Sequence, residues 1–111
     1  MKISARNRDG VTILEPQGKI TIGVGDVALR EAVTEALNTG SRSILINMAG
    51  VTTIDSSGVG ELVSTYTSVA NRGGKLKLLH LPPKVDDILQ VTQLITVFEV
   101  HDDEDEAVAS F

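Results

Sequence analysis

The chain has 111 residues, enough to bury one core and too few for two independent ones, so a single domain spanning 1–111 is expected. A hydrophobic share of 41%, a charged share of 23% and the absence of cysteine suit a globular chain and exclude disulfides, thiol nucleophiles and Cys-based metal sites, and no apolar run approaches the roughly 20 residues of a membrane-spanning helix. The net charge of -5 is local to the block Asp102-Asp103-Glu104-Asp105-Glu106; the remaining acids and bases balance, which leaves no basic stripe for a nucleic acid backbone.

Lys2 to Asn7 and Val11 to Glu15 alternate like strands, and Arg8-Asp9-Gly10 between them is a hairpin turn signal. Pro16 and Gly18 are expected to end that pattern, and Ile20 to Gly25 reads as a short apolar stretch leading into a flexible loop. Asp26 is placed to cap a helix in which Leu29, Ala32, Val33, Ala36 and Leu37 recur at helical spacing, with Asn38-Thr39-Gly40 as its stop. Ser43 to Met48 is nearly continuous in apolar residues, as in a strand covered on both faces. Leu62, Val63, Tyr66, Val69 and Ala70 form one stripe of a second helix, which Asn71-Arg72-Gly73-Gly74 closes. A strand at Lys75 to Leu79 follows, then a short helix opened by Pro83, with Val85, Ile88, Leu89 and Val91 on its inner side. Thr96 to His101 reads as a last strand. The acidic block reads as a solvated terminal turn or the start of a closing helix. The opening Met1-Lys2-Ile3-Ser4 carries no apolar signal segment, so a cytoplasmic setting is expected.

The alternation of strands and helices predicts an α/β domain with a mixed sheet. Sites in such sheets gather where strands end and helices begin, and Asp55-Ser56-Ser57-Gly58-Val59-Gly60 lies at one such junction. A serine there has a plain structural use: its oxygen accepts a bond from an amide with no partner inside the helix, worth about 1 kcal/mol. Capping does not account for Gly58 and Gly60, since a glycine inside a helix costs roughly 1 kcal/mol relative to alanine. Bare backbone at both positions would let another surface or a phosphoryl group approach closely. A phosphoryl group on an outward hydroxyl would add about -1.5 to -2 charges beside Asp55 and Glu61, which a docked partner would tolerate less well than the fold itself.

This stretch, preceded by an apolar strand and Ile54, resembles the phosphoacceptor motif of anti-sigma factor antagonists, the single-domain members of the STAS superfamily (sulphate transporter and anti-sigma factor antagonist). The resemblance covers nearly the whole chain. It implies a STAS fold, α/β, with a mixed sheet of four to five strands and interspersed helices packed mainly on one face. It also implies partner switching: the unphosphorylated antagonist binds an anti-sigma factor that is also a serine kinase, phosphorylation at Ser57 ends that binding, and a PP2C-type phosphatase restores it. Ser56 is the second candidate acceptor. Thr21, Asp26, Asp55, Ser56, Ser57, Gly58, Val59, Gly60 and Glu61 are the expected partner surface. No catalysis, cofactor, metal, nucleic acid or membrane insertion is implied. The chain departs from the family in one loop, where Lys19-Ile20-Thr21 follows Gly18 in place of an acidic-Leu-Asp run. That departure, with the longer Gly23-Val24-Gly25 loop, bears on which partner is bound and not on the fold. Asp26 either replaces the missing charge or caps the helix. The same domain could instead serve as an interaction module of a stress-sensing complex or as an accessory subunit of a membrane lipid transporter.

Other chemistries fit less well. A hydrolase elbow needs Gly-x-Ser-x-Gly, and Asp55 stands where its first glycine should be. The only histidines, His80 and His101, read as strand-end residues facing water, without metal-ligand spacing. No phosphate-cradling Gly-x-x-x-x-Gly-Lys-[Ser/Thr] occurs, and Gly18 to Gly25 does not fit Gly-x-Gly-x-x-Gly.

Overall fold

The hairpin predicted at the start of the chain is present. In the computed structural model, which describes Met1–Phe111, β1 (Lys2–Arg8) runs antiparallel to β2 (Val11–Ile20). Asp9 and Gly10 join them with φ of 51° and 81°, the left-handed pair whose twist matches that of the flanking strands.

Pro16 and Gly18 do not end β2, contrary to the expectation from sequence; they mark where it changes neighbours. Thr12–Leu14 lie parallel to β3 (Ser43–Asn47), and Gly18–Ile20 lie parallel to β4 (Val51–Ile54). The register shifts between Gly18 and Lys19, and Gly18 has φ 110°, open to glycine at little cost. Pro16 falls between the two parallel ladders, where its missing N–H breaks neither.

β4 falls on residues to which the sequence reading assigned no strand. Beyond β3 the order continues through β5 (Lys75–Leu79) and β6 (Val100–His101), giving β1-β2-β3-β5-β6 with β4 beside β2. The sheet is mixed, as expected, with one strand more than the sequence suggested. β6 is shorter than the predicted Thr96–His101: Gln93 turns back with φ 62°, Leu94–Thr96 form a 3-10 turn, and Phe98 enters the core. Its ring meets Tyr66 edge to face at 5.4 Å between centroids.

Three helices cover one face: α1 (Gly25–Asn38), α2 (Ser56–Asn71) and α3 (Pro83–Val91). Their inward residues Leu29, Val33, Leu62, Val69, Val85 and Leu89 pack on Leu14, Ile44, Ile46 and Leu78, an arrangement the helical periodicity anticipates. Val91, the last residue of α3, is an exception at 83% exposure. No helix is long and apolar enough to cross a membrane.

The other face is covered only by α4 (Glu104–Ala109), which seals Val11, Ile13, Leu45 and Leu79 beneath Ala107 and Val108. The acidic block is therefore not a solvated turn. Glu104 pairs with Arg6 and Arg8, and Asp105 pairs with Arg8, so three of its side-chain contacts fasten α4 to the opening hairpin.

Candidate functional site

Asp55 ends the path of β4 with extended backbone and starts α2 as its N-cap. The Gly58 amide donates to Asp55 Oδ1 at 2.8 Å, and the Ile22 amide donates to Oδ2 at 3.0 Å. One carboxylate therefore holds both the first turn of α2 and the loop between β2 and α1. The Gly58 amide first, and that of Ile22 next, keep the Asp55 carboxyl below the usual carboxylate range. The capping task that the sequence offered to a serine is done by Asp55, which leaves Ser56 and Ser57 as the first two residues of the helix.

Ser56 is exposed and Ser57 half-buried. Neither hydroxyl is tied into the chain's own hydrogen bonds, and no polar side-chain atom is sealed from solvent without a partner. The Ser57 Oγ is thus not sealed from solvent, at a helix N-terminus whose dipole favours added negative charge.

The two glycines have different causes. A Cβ on Gly58 would collide with the Ile20 carbonyl oxygen and the Ile54 side chain, so this glycine seats α2 against the ends of β2 and β4. Gly60 has open space around it. The expectation that both present bare backbone outward is corrected for Gly58, which is buried, and Val59 is likewise a core residue at 5% exposure. Neither offers a side chain to a partner. Glu61 points along α2 to Arg30 of α1 at 3.4 Å, with its side chain largely buried; its charge is answered within the chain.

Asp26 is not the N-cap of α1. The helix starts two residues earlier than a cap at Asp26 would place it, with Gly25 wedged against the backbone of Lys19 and Ile20 where no Cβ fits. Val24 occupies the N-cap position with no side-chain bond, and Asp26 Oδ1 accepts from the Val27 amide at 2.7 Å in the first turn. Thr21 is half-buried, and its carbonyl accepts from the Asp26 amide at 3.2 Å. Of the set read off the sequence, Ser56 and Gly60 are exposed and Thr21, Asp26, Asp55 and Ser57 partly so. Absent from the set read off the sequence are Ile22 and Val24, 72% and 62% exposed in the loop Asp55 holds. The signal for them was two aliphatic residues in a glycine-punctuated stretch that fits neither strand nor helix periodicity.

A second polar cluster lies under α4. Lys77, buried on β5, donates to the carbonyl and the hydroxyl of Ser110, both at 2.8 Å, pairs with Glu99 at 2.8 Å and stands 4.7 Å from the Phe111 ring centroid. His101 is part of it rather than facing water: its Nε2 meets Glu99 at 2.6 Å and Ser110 Oγ at 3.4 Å. Serine, histidine and carboxylate meet here in the wrong order for a triad, since Glu99 and Ser110 share one ring nitrogen and Ser110 Oγ donates to the Ala107 carbonyl at 2.6 Å. No group of His, Asp or Glu is arranged to hold a metal ion. The three surface grooves, of about 430 Å³ beside Tyr66 and Leu76, about 570 Å³ beside Ala5 and Ala36 and about 680 Å³ beside Arg30 and Thr34, include neither Asp55 nor Ser56 and Ser57, so the serine turn lies outside them.

The profile of the STAS domain family matches residues 2–107. The chain belongs to the STAS domain family. A Thermotoga maritima protein assigned to the anti-sigma factor antagonists is 29% identical over 100 residues, which are 90% of this STAS domain and 88% of that protein. A crystal structure of a Thermotoga maritima protein assigned to the anti-sigma factor antagonists superposes with a TM-score of 0.88 at 27% identity, covering 97% of this chain and 92% of that one. The Bacillus cell fate determinant SpoIIAA in its phosphorylated form shares the fold, with a TM-score of 0.74 at 19% identity and 98% of each chain covered. The mixed sheet with helices mainly on one face is thus the STAS fold, and the Thermotoga maritima relative carries an anti-sigma factor antagonist name.

Proposed function

We propose that this STAS domain is an anti-sigma factor antagonist switched by phosphorylation of Ser57. Unphosphorylated, it binds an anti-sigma factor that is also a serine kinase. The kinase transfers the γ-phosphoryl group of ATP to Ser57 Oγ: a new O–P bond forms, the bond to ADP breaks, and the hydroxyl proton passes to a base on the kinase. A PP2C-type phosphatase hydrolyses the ester and resets the cycle. The antagonist itself supplies the acceptor and the surface, and no catalytic group.

The observation that carries this reading is the Ser57 hydroxyl, reachable from solvent and uncommitted within the chain because Asp55 has taken over the cap. Two effects of opposite sign then separate the fold from the complex. The amides at the start of α2 stabilise a dianion on Ser57, so the domain survives modification. A partner packed over the turn must instead desolvate about -1.5 to -2 new charges beside Asp55, which the interface cannot pair.

The test is intact mass after incubation with the purified anti-sigma factor kinase of the same source and ATP. One phosphoryl group is expected, lost in Ser57→Ala. An addition that persists in Ser57→Ala and disappears in Ser56→Ala would move the acceptor to the more exposed neighbour.

A further inference from the structure

Ile22 and Val24 are large aliphatic side chains standing in water, 72% and 62% exposed, yet the backbone of the loop that carries them is tied at several points. The Ile22 amide is bound by Asp55 Oδ2 at 3.0 Å, the Asp26 amide by the Thr21 carbonyl at 3.2 Å, and the Ala28 amide by the Val24 carbonyl at 3.0 Å. Gly25 is wedged against Lys19 and Ile20. The backbone thus fixes both side chains outward, and little freedom remains to be lost when something covers them.

Val24 also goes against local preference. It is the N-cap of α1 with no side-chain bond to the helix, at a position where serine or aspartate would be more stable by about 1 kcal/mol. A poor local choice in a surface loop is where function is to be sought.

We infer that Ile22 and Val24 form an apolar knob that enters an apolar pocket of the anti-sigma factor kinase, positioned for it by Asp55. This rests on the function proposed above. The occupant follows from continuity: the carboxylate that caps Ser57's helix through Gly58 also holds Ile22, so a partner reaching the Ser57 hydroxyl covers the knob. From Ile20 to Gly25 the loop carries no charged residue, so this stretch contributes apolar contact, and the partner's surface facing the knob is apolar. Asp55 is a positioning residue whose two oxygens join acceptor and knob.

The experiment titrates the purified kinase against wild type, Ile22→Ser with Val24→Ser, and Ile22→Glu, at low and high salt, with thermal unfolding and sedimentation of each. The double substitution should weaken the complex at least ~30-fold, the loss expected from failing to bury two aliphatic side chains. Val24→Ser alone should weaken binding while leaving the unfolding temperature equal or higher, because serine restores a cap. Binding should change little with salt, and Ile22→Glu should weaken it. In Asp55→Ala the Ile22 amide should exchange with solvent faster. Binding of the double variant within about twofold of wild type, tighter binding by Ile22→Glu, or an Ile22 amide equally protected in Asp55→Ala would overturn the inference. Self-association of the wild type abolished by the double substitution would also overturn it, by giving the knob to a second copy. A double variant that binds normally while Ser57 remains the phosphorylated residue leaves the proposed function standing. A wild type that neither binds the kinase nor accepts phosphate removes both.

Discussion

The carbonyl oxygen of Ile20 occupies the place a side chain on Gly58 would need. This contact sets how deeply α2 sits between the ends of β2 and β4, and through it where Ser57 emerges. Gly58→Ala should therefore destabilise the domain by about 1–3 kcal/mol through overpacking, despite alanine's better helix propensity. Gly60→Ala meets open space on the same helix and should stabilise by up to about 1 kcal/mol. Urea denaturation of the two variants measures both, and equal effects would contradict the separate causes given to these glycines.

Acid should loosen α4 before the rest of the domain. The Arg6 guanidinium, with Arg8 beside it, holds Glu104 down at about 2, and the Lys77 ammonium, with His101 beside it, holds Glu99 at about 2. Both folded values lie below the ordinary 4.5, so their stabilisation is complete above that pH and is lost as pH falls through about 2. The carboxylates of both pairs keep contact with water, Glu104 in part and Glu99 over half of its side chain although its partner Lys77 is buried, so each titration is worth at most about 1 kcal/mol. Hydrogen exchange should show protection of Ala107 and Val108 falling at acid pH and in Glu104→Gln, while Leu62 and Ile46 stay protected.

Lys77 should matter more than its surface neighbours. Its ammonium satisfies the Ser110 carbonyl and hydroxyl and pairs with Glu99 from a buried stem. Lys77→Ala removes these bonds and leaves a gap under Phe111, at a cost of about 2–3 kcal/mol. Thermal unfolding checks it, and a change within 0.5 kcal/mol, typical of a surface site, would contradict this role.

Much of this architecture was readable from residue order because local signals and tertiary packing agree. The Asp9-Gly10 turn, the stripe Leu62-Tyr66-Val69 and the glycine stop after Asn71 all form where their patterns point. The misses share one cause, that a long-range contact outweighs a local preference. Pro16 and Gly18 look like breakers but sit where β2 exchanges β3 for β4. Gly25 pulls the start of α1 ahead of Asp26 by fitting against Lys19. Arg6 and Arg8 reach across the chain for Glu104 and Asp105, pairs whose separation in sequence hides them. At the site, Asp55-Ser56-Ser57-Gly58 was visible as a motif, but its bond to the Ile22 amide joins residues 33 apart and only the folded chain brings them together.

The most direct measurement is the affinity of the purified anti-sigma factor kinase for the domain before and after stoichiometric phosphorylation at Ser57, with unfolding temperatures of both forms. The unmodified domain should bind, the phosphorylated one should lose at least ~100-fold in affinity, and the two should unfold at similar temperatures. Equal affinity of the two forms, or collapse of the fold on phosphorylation, would contradict a switch in which the charge on Ser57 acts on the complex and not on the domain.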